Sequence, residues 1–318
     1  MDLAFEHLPF IRVYKNGQVE RLLGTETAPA GIDPHSGVSS KDIPNILPSS
    51  PEVYVRLYLP KLAAGSGDKL PLLVYFHGGG FFVSSPASVY YHNYINALVS
   101  SAKVMAVSVH YRRPPEHPLP VAYHDSWAAL RWVAYHRTCD GPEIWLNRHA
   151  DFRRVFIAGD SAGANIAHNL AMMAGSDEEA GLGVDILGVA LVQPFFWGSD
   201  PIGSEKDDPE KKAKLDKFWP FVCPSNPSND YKWVNPVGEG APSLAGLGCK
   251  RVLVCVAEKD ILKDRGLLYY EALGRSVWAG TAETHESEGK DHGFHLHDMQ
   301  CDEAQCLSNK LAHFFNQD

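Results

Sequence analysis

The sequence has no long hydrophobic run. None of its apolar stretches approaches the ~20 residues that a membrane-spanning helix needs, so we expect no membrane partner. The first ten residues include Asp2, Glu6 and His7 and show neither a basic nor an apolar leader pattern. A secretory signal needs such a pattern, and this start is too acidic for a typical transit peptide. We therefore expect neither, and the sequence predicts a cytoplasmic location.

Basic clusters and paired cysteines are also missing. The 29 Lys and Arg residues are outnumbered by 38 Asp and Glu residues and are scattered among them, which gives a net charge of −9. Because no basic stripe could follow a phosphate backbone, we do not expect nucleic acid as a partner. The six cysteines form no C-x-x-C pair, and reduced thiols are the expected state.

The composition is that of a globular protein with a sizeable core. Hydrophobic residues make up 45% of the chain and charged residues 21%, which excludes intrinsic disorder. A length of 318 residues suits two domains or one large α/β domain. No internal repeat is found, and length alone does not decide between one domain and two.

Apolar runs alternate with helical patterns along the chain. Five near-continuous apolar runs recur at residues 72–76, 104–109, 155–158, 186–192 and 252–256. Such runs are typical of strands covered on both faces of a parallel sheet. Apolar residues at helical spacing mark residues 121–136, a segment after residue 165 and the C-terminus. The pattern predicts a mostly parallel central sheet with helices on both faces.

The remaining segments show other patterns. Asn16-Gly17 lies between β-rich runs and predicts a hairpin, whereas residues 24–50 are rich in Pro, Gly, Ser and Asp and predict a loop. Residues 53–59 alternate strictly and predict a half-buried strand. The highly charged residues 200–217 interrupt the strand–helix alternation. We interpret them as part of a cap, with a solvated surface helix as the alternative.

A candidate nucleophile lies in the pentapeptide Gly159-Asp160-Ser161-Ala162-Gly163. This G-x-S-x-G pattern is weak alone, but here an apolar run precedes it and a helical pattern follows it. A strand, a sharp turn and a helix are the context of a nucleophile elbow, which presents the Ser161 hydroxyl at the carboxyl end of the sheet. An ordinary glycine-rich turn is the alternative.

A second glycine-rich turn follows the predicted strand at residues 72–76. Gly78, Gly79 and Gly80 in His77-Gly78-Gly79-Gly80-Phe81 let backbone N–H groups approach a substrate oxygen closely. With the N–H of Ala162 they form a candidate oxyanion hole. A phosphate-binding loop is the competing interpretation, but its glycine–lysine signature is absent from this stretch. A purely structural turn is a further alternative.

The orienting acid and the base are expected in the chain order Ser, Asp, His. Asp260 lies where the apolar run at residues 252–256 gives way to a loop, and it is favoured over Asp264, which lies one helical turn later. His292, beside a glycine, is the favoured base. We expect His295 and His297 at a helix start or on the surface.

Two other interpretations concern the histidines and the aromatic residues. Clustered histidines are compatible with zinc, but the H-E-x-x-H pattern and nearby cysteines are missing from the cluster, so neither a metal nor a cofactor is predicted. His77 is expected to position its loop. Seven aromatic residues suit either a substrate pocket or the core: Phe81, Phe82, Phe195, Phe196, Trp197, Phe218 and Trp219.

Together these motifs resemble those of the hormone-sensitive-lipase-like branch of the α/β-hydrolases. Residues 77–81 and 159–163 carry the likeness to the branch, and residues 111–120, 125–127 and 145–152 resemble the plant class I carboxylesterases in particular. The resemblance covers nearly the whole chain and implies a single α/β-hydrolase domain over residues 1–318. It also implies a serine carboxylesterase that acts through an acyl-enzyme, without a cofactor. Small or aromatic esters are expected rather than long-chain lipids, because the sequence shows no membrane-seeking helix.

The resemblance also implies roles for individual residues. Ser161, Asp260 and His292 would form the catalytic triad, and two of the three glycines at 78–80 would form the oxyanion hole with Ala162. A lid would come from about residues 1–45 and from an insertion at about residues 200–232.

Related plant proteins provide alternative functions. Gibberellin receptors share the fold but replace the catalytic histidine, which this chain keeps as His292. The 2-hydroxyisoflavanone dehydratases are also similar, notably to residues 194–205, although Ser161 and Gly78 follow the esterase pattern. Hydrolase-like cyclases of plant alkaloid pathways are a third group.

Overall fold

A small antiparallel sheet opens the chain. The computed structural model describes residues 2–62, 67, 69–176 and 181–317. The small sheet consists of β1 (Leu3–His7), β2 (Ile11–Tyr14) and β3 (Val19–Arg21), in that order. The turn between β2 and β3 has Gly17 at φ +85°, which confirms the hairpin predicted at Asn16-Gly17.

Within the described residues, the main sheet has eight strands. These are β4 (Ser39–Ile43), β5 (Tyr54–Leu59), β6 (Leu70–Phe76), β7 (Met105–His110), β8 (Ala150–Asp160), β9 (Ile186–Val192), β10 (Cys249–Ala257) and β11 (Thr281–Ser287). Their order across the sheet is β11-β10-β9-β8-β6-β7-β5-β4. Only β5 runs against its neighbours, so the sheet is mostly parallel, as predicted.

Helices cover both faces of the main sheet. They are α1 (Val89–Ala102), α2 (Val121–Tyr135), α3 (Ile144–His149), α4 (Ala162–Ala174), α5 (Pro209–Leu215), α6 (Phe218–Val222), α7 (Lys263–Arg275), α8 (Phe294–His297) and α9 (Asp302–Asn316). Apolar residues of α1 and α9 share one core cluster with alternate sheet residues, and those of α2, α4 and α7 share the other. Within the described ranges, no helix combines the length and apolarity needed to cross a bilayer.

The edge of the main sheet differs from the sequence prediction. Residues 24–50 are not entirely loop, because β4 pairs antiparallel with β5. The strand was missed because its sequence is polar, which a strand paired on one side only tolerates. The predicted strand at residues 53–59 is confirmed, but residues 55–58 are fully buried because β5 is paired on both sides and covered by α1.

The charged insertion after β9 is anchored in the core. It forms a short 3₁₀ turn at Gly203–Lys206 and then α5. In that turn the buried Glu205 carboxylate accepts two hydrogen bonds from the Arg265 guanidinium of α7, at 2.6 and 2.9 Å. The insertion is therefore attached to the helix that follows the Asp260 loop, and it is not a purely solvated surface helix.

Candidate active site

Ser161 occupies a strained turn between β8 and α4. Its φ is +51°, a left-handed value that is unfavourable for a residue with a side chain. The turn is too tight for side chains on either side: a Cβ at Gly159 would lie 2.4 Å from the Gly163 carbonyl, and one at Gly163 would lie 1.9 Å from the Phe76 carbonyl oxygen. The two glycines therefore permit the elbow that the pentapeptide predicts.

The three residues predicted as a triad lie in one hydrogen-bonded line. Nε2 of His292 is 2.9 Å from Oγ of Ser161, and Nδ1 of His292 is 2.7 Å from Oδ2 of Asp260. Asp260 follows β10 and His292 follows β11, so parallel strands bring both to the edge of the sheet where Ser161 lies. The Asp260 side chain is 1% exposed, whereas that of His292 is 35% exposed and accessible to a substrate.

The charges around His292 favour its protonated form. Burial disfavours the imidazolium and by itself would lower the pKa of His292. The negative charge and hydrogen bond of Asp260 outweigh burial, and the charges of Asp160 and Asp291 add to their effect. The pKa of His292 is therefore raised above its ordinary value of 6.5. The bond to Asp260 at Nδ1 also directs Nε2 toward Ser161. This imidazole is therefore oriented and basic enough to accept the hydroxyl proton.

The glycine loop and the start of α4 carry the candidate oxyanion donors. Gly79 and Gly80 have φ values of +89° and +61°. Among the described residues, no acceptor contacts the N–H groups of Gly79, Gly80 or Ala162. By contrast, the Gly78 N–H donates to the Tyr91 hydroxyl at 2.7 Å and to Oδ1 of Asp160 at 3.1 Å. The prediction of Gly78 as an oxyanion donor is therefore corrected, since its N–H is already bonded internally.

Asp160, which sequence reasoning did not single out, connects the glycine loop with the turn at Ser161. Its buried carboxylate accepts hydrogen bonds from Tyr75 at 2.8 Å and from Tyr91 at 2.6 Å, besides that from Gly78. Burial raises the pKa of Asp160, although these hydrogen bonds oppose the shift. The sequence offered one weak signal for this role, an acidic side chain next to Ser161. The G-x-S-x-G motif accepts most residue types at that position, so the motif alone does not point to Asp160.

The alternative acid and the loop histidine have other partners. Oδ2 of Asp264 accepts hydrogen bonds from N and Oγ of Ser204, both at 2.7 Å, and thereby holds the insertion. The buried His77 ring stacks on Tyr111 with centroids 4.4 Å apart, and its Nδ1 lies 2.9 Å from the Gly78 carbonyl oxygen. His77 therefore contacts the glycine loop, as expected.

The two histidines after His292 differ from each other. Both lie in the short helix α8, as predicted, and His297 is exposed. His295 is buried, so the surface alternative is wrong for it; its ring packs edge-on against Tyr94 with centroids 5.1 Å apart. Burial lowers the pKa of His295 to about 3. Within the described ranges, no three His, Cys, Asp or Glu residues are grouped to hold a metal ion.

The candidate pocket aromatics divide into two sets. Phe82, Phe195 and Phe218 lie together beside the glycine loop, and a Cβ at Gly80 would lie 2.7 Å from Cε1 of Phe218. The other four are Phe81, Phe196, Trp197 and Trp219, and all seven belong to one buried core cluster. The Phe218 ring therefore lies against Gly80, one of the candidate oxyanion donors.

The N-terminal sheet packs on helix α6 above this loop. The Phe5 and Phe221 rings stack with centroids 3.8 Å apart, and the His7 ring meets Phe218 edge-on at 4.2 Å. Burial, followed by the charge of Lys214, lowers the pKa of His7. An aromatic wall thus joins the two segments that flank the glycine loop.

Similar proteins are known for almost the full length of the chain. "Probable carboxylesterase 2" of Arabidopsis thaliana is 46% identical over 316 residues, which cover 99% of this chain and 97% of the relative. "2-hydroxyisoflavanone dehydratase" of Glycine max is 43% identical over 318 residues, 98% of each chain. Among solved structures, the esterase LipW from Mycobacterium marinum has a TM-score of 0.72 at 27% identity, covering 88% of this chain and 82% of that one.

The predicted cytoplasmic location is contradicted by other relatives. "Probable carboxylesterase 4, mitochondrial" of Arabidopsis thaliana is 42% identical and aligns with 98% of this chain and 83% of its own length. "Tuliposide A-converting enzyme 1, chloroplastic" of Tulipa gesneriana is 44% identical, over 98% of this chain and 78% of the relative. Relatives of this similarity therefore include proteins named for organelles, so the location does not follow from the sequence pattern.

The family assignment agrees with both the geometry and the relatives. The profile of a family with the α/β-hydrolase fold matches residues 73–296, a range that contains the elbow serine, the glycine loop, Asp260 and His292. The resemblance to plant carboxylesterases and 2-hydroxyisoflavanone dehydratases is confirmed by relatives that match nearly the full length. The chain therefore belongs to the α/β-hydrolase family.

Proposed function

We propose that this protein is a serine carboxylesterase that hydrolyses small or aromatic carboxylic esters. One observation carries the proposal: Ser161, His292 and Asp260 form a continuous hydrogen-bonded line, with contacts of 2.9 and 2.7 Å. A hydroxyl paired with a base that is itself oriented by a buried carboxylate is the arrangement that activates serine as a nucleophile. The relatives named carboxylesterase support the same activity.

The first half of the reaction acylates the serine. Nε2 of His292 accepts the Ser161 proton as Oγ attacks the ester carbonyl, and the carbonyl oxygen becomes negatively charged. The N–H groups of Gly79, Gly80 and Ala162 stabilise that oxygen, an effect worth about 3–4 kcal/mol for each donor of this kind. The C–O bond to the alcohol then breaks, and the His292 imidazolium donates its proton to the departing alkoxide.

The second half releases the acid. His292 accepts a proton from water, the resulting nucleophile attacks the acyl carbonyl, and the proton returns to Oγ of Ser161 as the acid leaves. Asp260 keeps the Nδ1 proton of His292 in place throughout and stabilises the imidazolium in both halves. These residues supply every proton transfer, so the proposal includes no cofactor and no metal.

We also propose that the chain is one domain with a small cap that limits substrate size. The cap consists of β1–β3 and residues 200–232, without β4, which pairs with the main sheet. The Phe218 ring lies against Gly80, and the His7 ring lies against Phe218. A pocket bounded by these rings favours short acyl groups or flat aromatic ones over long chains.

Dehydration of a 2-hydroxyisoflavanone is the second candidate. The relatives from Glycine max and Glycyrrhiza echinata that bear this name are 43% and 44% identical over nearly the whole chain. A dehydratase would use its base to remove a carbon-bound proton from a β-hydroxy ketone instead of activating Ser161. A hormone receptor is less well supported, because His292 is present and bonded to the serine.

The decisive experiment measures turnover of p-nitrophenyl acetate by wild type and Ser161→Ala. Loss of the nucleophile should lower kcat at least about 10³-fold with the thermal unfolding curve unchanged. Retention of a tenth or more of the activity would exclude Ser161 as the nucleophile. Comparing kcat/KM for the ester with that for a 2-hydroxyisoflavanone separates the two candidate activities, because the better substrate identifies the function.

A further inference from the structure

Gln193 lies between the segments that carry the three candidate catalytic residues. It directly follows β9, which is flanked by the strand leading to Ser161 and by the strand leading to Asp260. Its N–H donates to the Cys255 carbonyl of β10 at 2.7 Å, and the carbonyl of the preceding Val192 accepts the Ser161 N–H at 2.9 Å. The backbone at this position is therefore bonded toward both neighbouring strands.

The side chain of Gln193 reaches the third segment. Its Oε1 accepts a 2.7 Å hydrogen bond from the N–H of Gly293, the residue after His292. Gly293 has φ +74° and begins the turn into α8, so its N–H is not used within a helix. Because Gln193 is 2% exposed, water does not readily replace this bond.

The backbone conformation of Gln193 indicates that its side chain is needed. Its φ of +47° is left-handed, as is the +51° of Ser161 at the end of the adjacent strand. Glycine adopts such a conformation freely, whereas a residue with a Cβ is strained there. Strained residues of this kind persist where the surroundings hold them and are concentrated at functional sites. The bond to Gly293 is one that glycine could not make.

We infer that Gln193 is a positioning residue that holds the turn at residues 291–293 and thereby keeps His292 in line with Ser161 and Asp260. The inference rests on the proposed function. Without the Gln193 acceptor, the Gly293 N–H loses its partner and the turn can shift. His292 would then depart from the 2.9 and 2.7 Å contacts on which proton transfer depends.

Gln193→Met and Gln193→Glu test this role with p-nitrophenyl acetate. Methionine has a similar length and no oxygen, so kcat should fall about 10- to 100-fold with KM changed less than twofold. Glutamate keeps an oxygen for the Gly293 N–H and should restore at least a tenth of wild-type kcat at high pH. Its negative charge near the imidazolium should raise the pKa of His292 and move the acid limb of the pH–rate profile upward.

Gln305→Met is the matched control, because Gln305 lies on the exposed side of α9 and should tolerate the same change. A Gln193→Met enzyme with kcat within twofold of wild type would overturn the inference. Equal losses in the Met and Glu variants, with an unshifted acid limb, would also overturn it. If the Met variant does not fold, the Glu variant decides alone: an acid limb at the wild-type position would then overturn the inference.

The proposed function and this inference fail in different ways. A wild-type protein that neither hydrolyses the ester nor reacts with a fluorophosphonate at Ser161 contradicts the proposed function. A wild type that does both, beside a folded Gln193→Met variant of equal activity, contradicts only the role of Gln193.

Discussion

The Tyr91 hydroxyl donates a 2.6 Å hydrogen bond to the carboxylate of Asp160, the residue before the proposed nucleophile. The same hydroxyl accepts the N–H of Gly78 at 2.7 Å, so α1 connects the glycine loop with the elbow. This close approach explains why residue 78 is a glycine, because a Cβ there would lie 2.5 Å from Oδ2 of Asp160.

Tyr91→Phe should therefore loosen the loop that carries the proposed oxyanion donors. We expect a loss of about 1–3 kcal/mol in the free energy of unfolding, since a buried carboxylate and a buried N–H lose a partner. We also expect kcat for p-nitrophenyl acetate to fall roughly tenfold, which is less than the loss of one oxyanion donor. Chemical denaturation and steady-state kinetics measure the two effects.

Tyr94→Phe is the control on the same helix. The Tyr94 hydroxyl is buried and has no hydrogen-bond partner in the described part of the chain, so its removal should leave stability and kcat unchanged or improve stability. Equal losses in the two variants would contradict the role given to Tyr91.

The pH dependence follows from the charge around His292. The imidazole accepts the Ser161 proton only when neutral, so kcat/KM should rise with pH as His292 loses its proton. Because Asp260 raises the pKa of His292, the midpoint of this acid limb should lie above 6.5. Asp260→Asn should move the limb to lower pH and reduce kcat by about 10⁴-fold.

Asp264→Asn is the matched change on the neighbouring carboxylate, which binds Ser204 instead of the imidazole. It should leave the acid limb of the kcat/KM profile where it is in wild type. A shift in this variant, together with an unshifted Asp260→Asn profile, would assign the orienting acid to Asp264.

Phe218 should control the size of the acyl group. Phe218→Ala removes the ring that lies against Gly80, so kcat/KM for a bulky aryl ester should rise about tenfold relative to the acetate, as expected for a change in an apolar pocket. Phe221→Ala is the control on α6, because the Phe221 ring stacks on Phe5. An unchanged ratio of the two esters in Phe218→Ala would show that the ring does not border the pocket.

The buried pair of Arg265 and Glu205 should anchor the insertion. Glu205→Gln leaves the Arg265 charge without its buried partner, so we expect a loss of about 3–5 kcal/mol in the free energy of unfolding. Glu271→Gln breaks the exposed pair with Arg275 and should cost less than about 1 kcal/mol. Urea denaturation measures both, and equal losses would contradict the anchoring role.

The sequence was informative where a chemical motif coincided with a strand end. Ser161 and Asp260 both follow near-continuous apolar runs, and parallel strands bring their carboxyl ends to one edge. Their approach to His292 could be predicted because the order of the three residues along the chain matches a known arrangement. The polar strand β4 had no such signal, since an edge strand needs little apolar surface.

The supporting residues could not be predicted in the same way. The role of Asp160 depends on two tyrosines, 85 and 69 residues away in the chain, that meet its carboxylate. Gln193 depends on a bond to Gly293 across 100 residues and on a positive φ that no local pattern requires of glutamine. The internal bonding of the Gly78 N–H likewise follows from the positions of Tyr91 and Asp160 in the fold.

Reaction with a fluorophosphonate tests the central claim most directly. If Ser161 is activated by His292 and Asp260, one phosphonyl group should attach to wild type, and mass spectrometry of the digest should place it on Ser161. His292→Gln should react far more slowly at the same serine. A wild-type protein that remains unlabelled, or that carries the label on another residue, would contradict the account.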